Sequence, residues 1–252
     1  MLSDDQKNLG DELTRFPMYF CNACFFGDPS DISTKVNNGT ITLVKYKNRI
    51  FGITNYHVIN EFRYRLQNEP KIKFGIGNVE INIEKSIIDE DPYLDLCTLD
   101  LQDHEESDFH PHGNVPTHFY EIDDFTTGNL KTGDFVLFGG YPGVWRERPT
   151  SNHLIFDTLS SGSTEVNEFT SQNIRCELAL DKCIITLKEH HVEFPKNLGG
   201  LSGGPVFHHY LSPAGISQFK LVGIIYEHIP EYDSILARPI SYLNEHFKIK
   251  KQ

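Results

Sequence analysis

Basic charge is scarce in this chain: 23 lysines and arginines stand against 35 aspartates and glutamates in 252 residues, a formal net charge of −12. Nucleic acid and anionic membrane surfaces both select for Lys and Arg patches, so neither is expected as the main partner. Only the tail, Lys248 to Lys251, is locally basic. Long apolar runs are missing too. None approaches the roughly 18 residues that a membrane span needs. The opening MLSDDQKNLGDELTRF is too polar for a signal peptide, and the expectation is a cytoplasmic protein. Cysteine is sparse and odd in number: Cys21, Cys24, Cys97, Cys176 and Cys183 follow no framework spacing, which fits reduced thiols. The pair Cys21-x-x-Cys24 has no second pair to complete a zinc site and lies in the apolar MYFCNACFF, so it reads as buried strand. No metal and no cofactor is expected.

Helical periodicity is also short. Ser3 with Gln6 makes a capping-box pattern, and Leu9, Leu13 and Phe16 share one face before Pro17 ends the run, which predicts a short N-terminal helix. Ile240, Leu243 and Phe247 after Ser241 predict a closing helix. Between Pro17 and Pro239 the signals are short apolar or alternating runs separated by turn residues, among them TITLVKY, IFGITNYHVI, LDLCTL, DFVLFGG, GPVFHHY and FKLVGIIY. That spacing predicts an all-β protein of barrels or sandwiches. The polar, acidic stretch from Gln102 to Leu130, broken by Gly and Pro, reads as a connection between two halves. The expected organisation is an N-terminal helix and strand extension over 1–38, a first unit over 39–105, a linker over 106–129, and a second unit with the closing helix over 130–252.

What is abundant is glycine around one serine. GGLSGGPVFHHY places Ser202 among Gly199, Gly200, Gly203, Gly204 and Pro205, a turn shaped for access because glycine lets backbone approach backbone or ligand. A serine hydroxyl is a poor nucleophile until a base takes its proton, and the base works best when a third group fixes its tautomer. Of the twelve histidines, His57 stands out at the end of the apolar IFGITNYHVI, read as a strand. Asp95, read as lying inside the apolar strand LDLCTLDL, needs a partner to offset its desolvation, and a histidine N–H suits it.

Thr54-Asn55-Tyr56-His57-Val58, then Asp95-Leu96-Cys97-Thr98-Leu99, then Gly200-Leu201-Ser202-Gly203-Gly204-Pro205 and Leu221-Val222-Gly223-Ile224-Ile225 resemble, in order, the His, Asp and Ser motifs and the substrate strand of trypsin-like serine peptidases. The TNxHV form is closer to the bacterial Deg-type branch. The resemblance spans about residues 39 to 245. It implies two antiparallel β-barrels of chymotrypsin-like type, with His57 and Asp95 from one and Ser202 from the other, acting on a protein or peptide. His57 is then base and acid, Asp95 orients it, and the N–H groups of Gly200 and Ser202 form the oxyanion hole. Tyr226, Glu227 and His228 would offer a strand edge to an extended peptide. Lys196, six positions before the serine, would sit at the base of the primary specificity pocket and favour Asp or Glu, unless Glu189 neutralises it. Two features depart from the family: Leu201 replaces the aspartate of the digestive enzymes, and Tyr56 is bulkier than the usual residue before the histidine.

Three other readings were weighed. Gly200-x-Ser202-x-Gly204 also fits the nucleophile elbow of α/β-hydrolase esterases, with Asp233 and His246 following in order, but that fold needs alternating strands and helices. A catalytically silent, peptide-binding pseudopeptidase on the same barrels is the non-enzymatic rival. His208-His209 and His190-His191 are adjacent pairs whose side chains on a strand point to opposite faces, so neither reads as a metal site.

Overall fold

The computed structural model describes residues 4–109, 116–150, 153–178, 183–185 and 198–251. The fold is mostly β, a closed barrel plus a half-barrel after a short N-terminal helix, which is consistent with the expected two-barrel, chymotrypsin-like arrangement. The first sheet holds β1 (Cys21–Gly27), β2 (Asn37–Tyr46), β3 (Arg49–Thr54), β4 (Lys73–Ile76), β5 (Val79–Glu80), β6 (Ile87–Asp91) and β7 (Leu96–Asp100), in the order β5-β4-β1-β2-β3-β7-β6. A short β8 (Tyr120–Glu121) lies parallel to β2; the other pairings of this sheet are antiparallel. The second sheet holds β9 (Phe135–Gly140), β12 (Leu159–Phe169), β13 (Ile174–Glu177), β15 (Pro205–Leu211), β16 (Ser217–Ile229) and β17 (Ser234–Pro239), with β14 (Cys183–Ile185) added to β12. Pairing of β13 with both β17 and β12 closes this sheet into a ring. The first remains a half-barrel. A separate hairpin, β10 (Arg146–Thr150) and β11 (His153–Phe156), projects from the chain between β9 and β12.

Strand alternation sorts side chains between four buried clusters, the smallest of them around Met18, Cys21, Ala23, Tyr141 and Phe156. Ile41 and Leu43 enter the core of the first sheet, while Thr40 and Thr42, which alternate with them, face away from it. In the second sheet Val136, Phe138 and Val222 fill the ring, and their neighbours Leu137 and Leu221 join Val44, Phe51 and Phe207 in the layer where the two sheets meet. Asp95 stands between Leu94 and Leu96 of this layer, and Ser202 is hydrogen-bonded to Thr40 of the first sheet.

Three expectations need correction. First, IFGITNYHVI is not a single strand. The strand stops at Thr54, and α2 (Tyr56–Asn68) begins at the residue before His57. Val58, Ile59, Phe62 and Arg65 make its buried stripe, so a helical face was hidden behind an apolar run that also suits a strand. Second, Asp95 is not inside a strand; it precedes β7 and has φ of +54°. Third, the closing helix is absent. Ile240–Tyr242 form one 3-10 turn, and the chain then folds back so that Leu243 bridges Ile249. Asn244 Oδ1 accepts from the N–H groups of His246 and Lys248, which holds the tight turn and carries Phe247 onto Phe51, 3.8 Å between ring centroids. The same apolar triplet that fits a helix face thus lines a hairpin. The N-terminal helix is present as α1 (Asp4–Arg15), with Thr14 against Gly162 of β12. Within the acidic connection, Phe109 and Phe119 are buried in the first core.

Candidate active site

His57 and Asp95 come together as expected. Both oxygens of the carboxylate are spent on this one residue: Oδ1 accepts the His57 backbone N–H at 2.9 Å, and Oδ2 lies 2.7 Å from Nδ1. An ionised carboxylate only accepts, so Nδ1 carries the proton and the neutral ring keeps Nε2 as its basic nitrogen. The left-handed turn at Asp95 is what brings its side chain back under the helix start. Asn55, the N-cap of α2, holds that turn by donating Nδ2–H to the Asp95 carbonyl at 2.6 Å instead of capping its own helix. The His57 side chain is 52% exposed and that of Asp95 20%, so the imidazole is open to the cavity while the carboxylate beside it is mostly covered.

Ser202 sits in the turn before β15, and the turn is held by the other sheet. Thr40 donates its N–H to the Ser202 carbonyl at 2.8 Å and its hydroxyl to the Gly200 carbonyl at 2.7 Å; the Thr42 hydroxyl donates to the Gly203 carbonyl at 2.7 Å. The N–H groups of Leu201, Gly203 and Gly204 donate to Leu198, Ile225 and Leu201 carbonyls. Two N–H groups of the turn, those of Gly200 and Ser202, find no acceptor among the described residues. Backbone donors next to a cavity are rarely left over, so this pair is available to an incoming oxygen. Gly200 has φ of +107°, and a Cβ there would lie 2.5 Å from the Tyr141 carbonyl oxygen and 2.6 Å from the Gly143 nitrogen. Leu201, the departure noted in the sequence, is buried in the second core.

A cavity of about 200 Å³ is lined by His57, Ser202, Gly199, Tyr226, Glu227 and His228, with Leu198, Leu201 and Ile225 as its apolar floor. Within it the Ser202 hydroxyl donates to the Tyr226 carbonyl at 3.5 Å, and no hydrogen bond joins it to His57. A serine–histidine bond that is long or absent without substrate is common in sites of this kind.

The predicted strand edge is present. β15 leaves β16 at Ile224, while β17 follows β16 on its other side to Ile229, with a bulge between Ile225 and Glu227. Past Ile225 the cavity side of Tyr226, Glu227 and His228 therefore has no strand partner among the described residues. Burial raises the Tyr226 phenol pKa and lowers that of His228, whose two ring nitrogens have no hydrogen-bond partner among the described residues. Lys196, Glu189 and the pair His190-His191 lie outside the described residues. His208 and His209 diverge as expected, His208 towards Asp134 at 3.5 Å and His209 onto Ser217 at 3.1 Å.

Sequence reasoning missed Arg238. Its Nε donates to the Leu94 carbonyl at 2.8 Å and Nη1 to Asn173 Oδ1 at 2.6 Å, and its guanidinium lies 4.0 Å from the centroid of the Tyr226 ring. It thus ties the residue before Asp95 to the strand that lines the cavity. A lone cation inside the apolar SILARPI was the available signal.

Among the described residues no helix is long and apolar enough to cross a membrane. No protein-family model matches the chain, and no curated protein matches it. A search of solved structures finds 164 matching chains. One is the active form of the Rv3671c protease from M. tuberculosis, 15% identical, with a TM-score of 0.41 over 92% of this chain and 80% of that one.

Proposed function

We propose that the protein is a trypsin-like serine endopeptidase that uses Ser202, His57 and Asp95. The observation that carries this reading is one arrangement: a histidine held at Nδ1 and at its backbone by one carboxylate, sharing a cavity with a serine whose turn has two N–H groups with no acceptor among the described residues. An extended peptide pairs with the edge Tyr226–His228, which presents its carbonyl carbon to Ser202. Rotation of the hydroxyl from the Tyr226 carbonyl to His57 Nε2 lets the ring take the proton as Oγ attacks. The carbonyl π electrons move to oxygen, and the N–H groups of Gly200 and Ser202 receive that charge. His57, now cationic and stabilised by Asp95, gives its proton to the departing amine as the C–N bond breaks. Water, giving a proton to His57, then attacks the acyl carbon, and as the bond to Ser202 Oγ breaks His57 returns that proton to Oγ and the acid is released. Each step uses groups already on the protein.

Labelling by a fluorophosphonate probe tests the reading, together with hydrolysis of a peptide mixture. Wild type should label and cleave, and Ser202→Ala should do neither. Absence of labelling in folded wild type would refute it and leave a peptide-binding protein that does not hydrolyse.

A further inference from the structure

Arg146, at the start of β10, is held differently from four other arginines of the fold. Arg63 and Arg65 fork onto Glu84, Glu90 and Glu69, and Arg148 and Arg238 donate to backbone carbonyls. The half-buried Arg146 makes one hydrogen bond, from Nη1 to the neutral amide oxygen of Asn38, and no carboxylate lies within ion-pair distance of it among the described residues. A guanidinium carries five N–H donors, so most of its capacity is unused among the described residues of a protein where acids outnumber bases. Burial lowers its pKa.

Its position relative to the serine gives this meaning. Asn38 is locked by donating Nδ2–H to the Tyr141 carbonyl at 2.8 Å, and a Cβ on Gly200 would lie 3.0 Å from that Nδ2. Gly143 donates its N–H to the Gly199 carbonyl at 2.6 Å, and a Cβ on Gly143 would lie 3.7 Å from Arg146 Nη1. The guanidinium is therefore within about 8 Å of the turn that carries the two unpaired N–H groups, the span of two to three extended residues. The strand edge Tyr226–His228 starts at the carbonyl that accepts the Ser202 hydroxyl, whereas Asn38 and Gly143 meet the turn at Gly200 and Gly199. A peptide that pairs with that edge and places its scissile carbonyl at Ser202 must leave across Gly199, Gly200 and Asn38, towards Arg146.

We propose that Arg146, oriented by Asn38, is a carboxylate-binding subsite for the departing side of the substrate. It takes either an Asp or Glu side chain two or three residues after the cut bond, or the C-terminal carboxylate of a substrate that ends there. A planar fork matches a carboxylate with two parallel N–H···O bonds. The inference rests on the peptidase reading for its geometry, and its test does not depend on turnover.

The experiment uses two sets of peptides. In one, Glu replaces Gln at each of the first three positions after the bond; in the other, a free C-terminal carboxylate replaces an amide. Wild type should favour the carboxylate member by about tenfold or more in kcat/KM, mainly through KM, the order expected of a hydrogen bond to a half-buried charge. Added salt should weaken the preference. Arg146→Gln should abolish it and Arg146→Lys should keep a weaker part. Asn38→Asp, which places a resident carboxylate against the guanidinium, should abolish it without removing the arginine. Which peptide set responds identifies the source of the carboxylate. The same pairs are then bound to Ser202→Ala and followed by fluorescence anisotropy. Discrimination there without turnover in wild type would retain the subsite and refute the peptidase. Turnover in wild type with carboxylate and amide members within about twofold at every position would refute the subsite and retain the peptidase. Preference that survives Arg146→Gln also overturns it.

Discussion

Replacing Gly203 by alanine tests how rigidly the serine turn is held. Its φ is +93°, where an L side chain costs about 1–2 kcal/mol. Space is the larger obstacle. A Cβ would lie 1.8 Å from the Thr40 carbonyl oxygen, 2.9 Å from its carbon and 2.6 Å from Thr54 Oγ1. Neither partner can yield freely. The Thr40 carbonyl accepts the Thr54 hydroxyl at 2.8 Å, and the Thr40 N–H is bonded to the Ser202 carbonyl at 2.8 Å. On its own side Gly203 donates to Ile225 at 2.8 Å and accepts from Thr42 at 2.7 Å. Relieving the overlap needs a movement of more than about 1 Å, which breaks at least one of these buried bonds at about 1–3 kcal/mol each. The expected loss of stability is about 3–5 kcal/mol, and a chain of this size loses roughly 2–4 °C of Tm per kcal/mol, so Tm should fall by about 10 °C. Below that Tm the variant should still label slowly, because a displacement of about 1 Å costs on the order of 10²-fold in rate. Thermal melts and fluorophosphonate labelling of Gly203→Ala measure both effects. A Tm within about 2 °C of wild type, with labelling within about twofold, would show that the turn is not clamped in this way.

The site and the interior supply further predictions. Asp95→Asn offers one acceptor where two are in use, for the His57 N–H and for Nδ1–H. The rate of peptide cleavage should drop by about 10⁴-fold with the fold retained, and a loss below about tenfold would contradict the orienting role. Ser202→Ala should lower it by about 10⁴- to 10⁶-fold with an unchanged Tm. Burial raises the thiol pKa of Cys21 and Cys97 and pushes Cys24 and Cys176 up to about 12, so titration of native protein with an aromatic disulfide at pH 8 should find no more than one reactive thiol, Cys183, and five after unfolding. His208, His209 and His228 all have pKa values lowered first by burial, with Asp134 partly opposing at His208 and Asp233 and Glu231 at His228. Folding therefore favours their neutral forms. Their contribution is complete above the ordinary histidine range, near pH 6.5, and is lost as pH falls below it. Urea midpoints should decline between pH 7.5 and 5.5, and a flat or rising midpoint would contradict the sign.

Strand pattern made the β fold readable in the sequence, and glycine placement singled out the Ser202 turn that shares a cavity with His57. His57, Asp95 and Ser202 carry local signals: a histidine among apolar residues, a carboxylate in an apolar run, and a serine among glycines. Where the reading failed, local sequence admits two answers. ITNYHVI suits either strand end or helix start, and tertiary packing of Val58, Ile59 and Phe62 against the first core selects the helix. Ile240, Leu243 and Phe247 suit a helix face, yet the stacking of Phe247 on Phe51 is reached through a hairpin. The supports of the site were unreadable for a different reason. Thr40 with Gly200, Arg238 with Leu94 and Asn55 with Asp95 join residues 160, 144 and 40 positions apart, and no periodicity records a hydrogen bond at that separation.

Those supports explain how a site split between two sheets keeps its geometry without a disulfide. Thr40 uses every polar atom it has: N–H to Ser202, carbonyl from Thr54, and a hydroxyl that donates to Gly200 while accepting the Tyr141 N–H at 3.0 Å. Thr40 belongs to the first sheet and Ser202 to the turn that enters the second, so the serine turn hangs from the sheet whose strand β3 leads into the helix that carries His57. On the opposite flank Arg238, from the second sheet, grips the carbonyl of Leu94 beside Asp95. Sliding the sheets apart would break the Thr40 bonds on one flank and the Arg238 bond on the other, leaving buried groups unpaired at both. Because each tie ends within two residues of Ser202 or Asp95, the energy that resists sliding is spent beside those residues. The separation of Ser202 from His57 is then fixed by the same hydrogen bonds that fix the contact between the sheets.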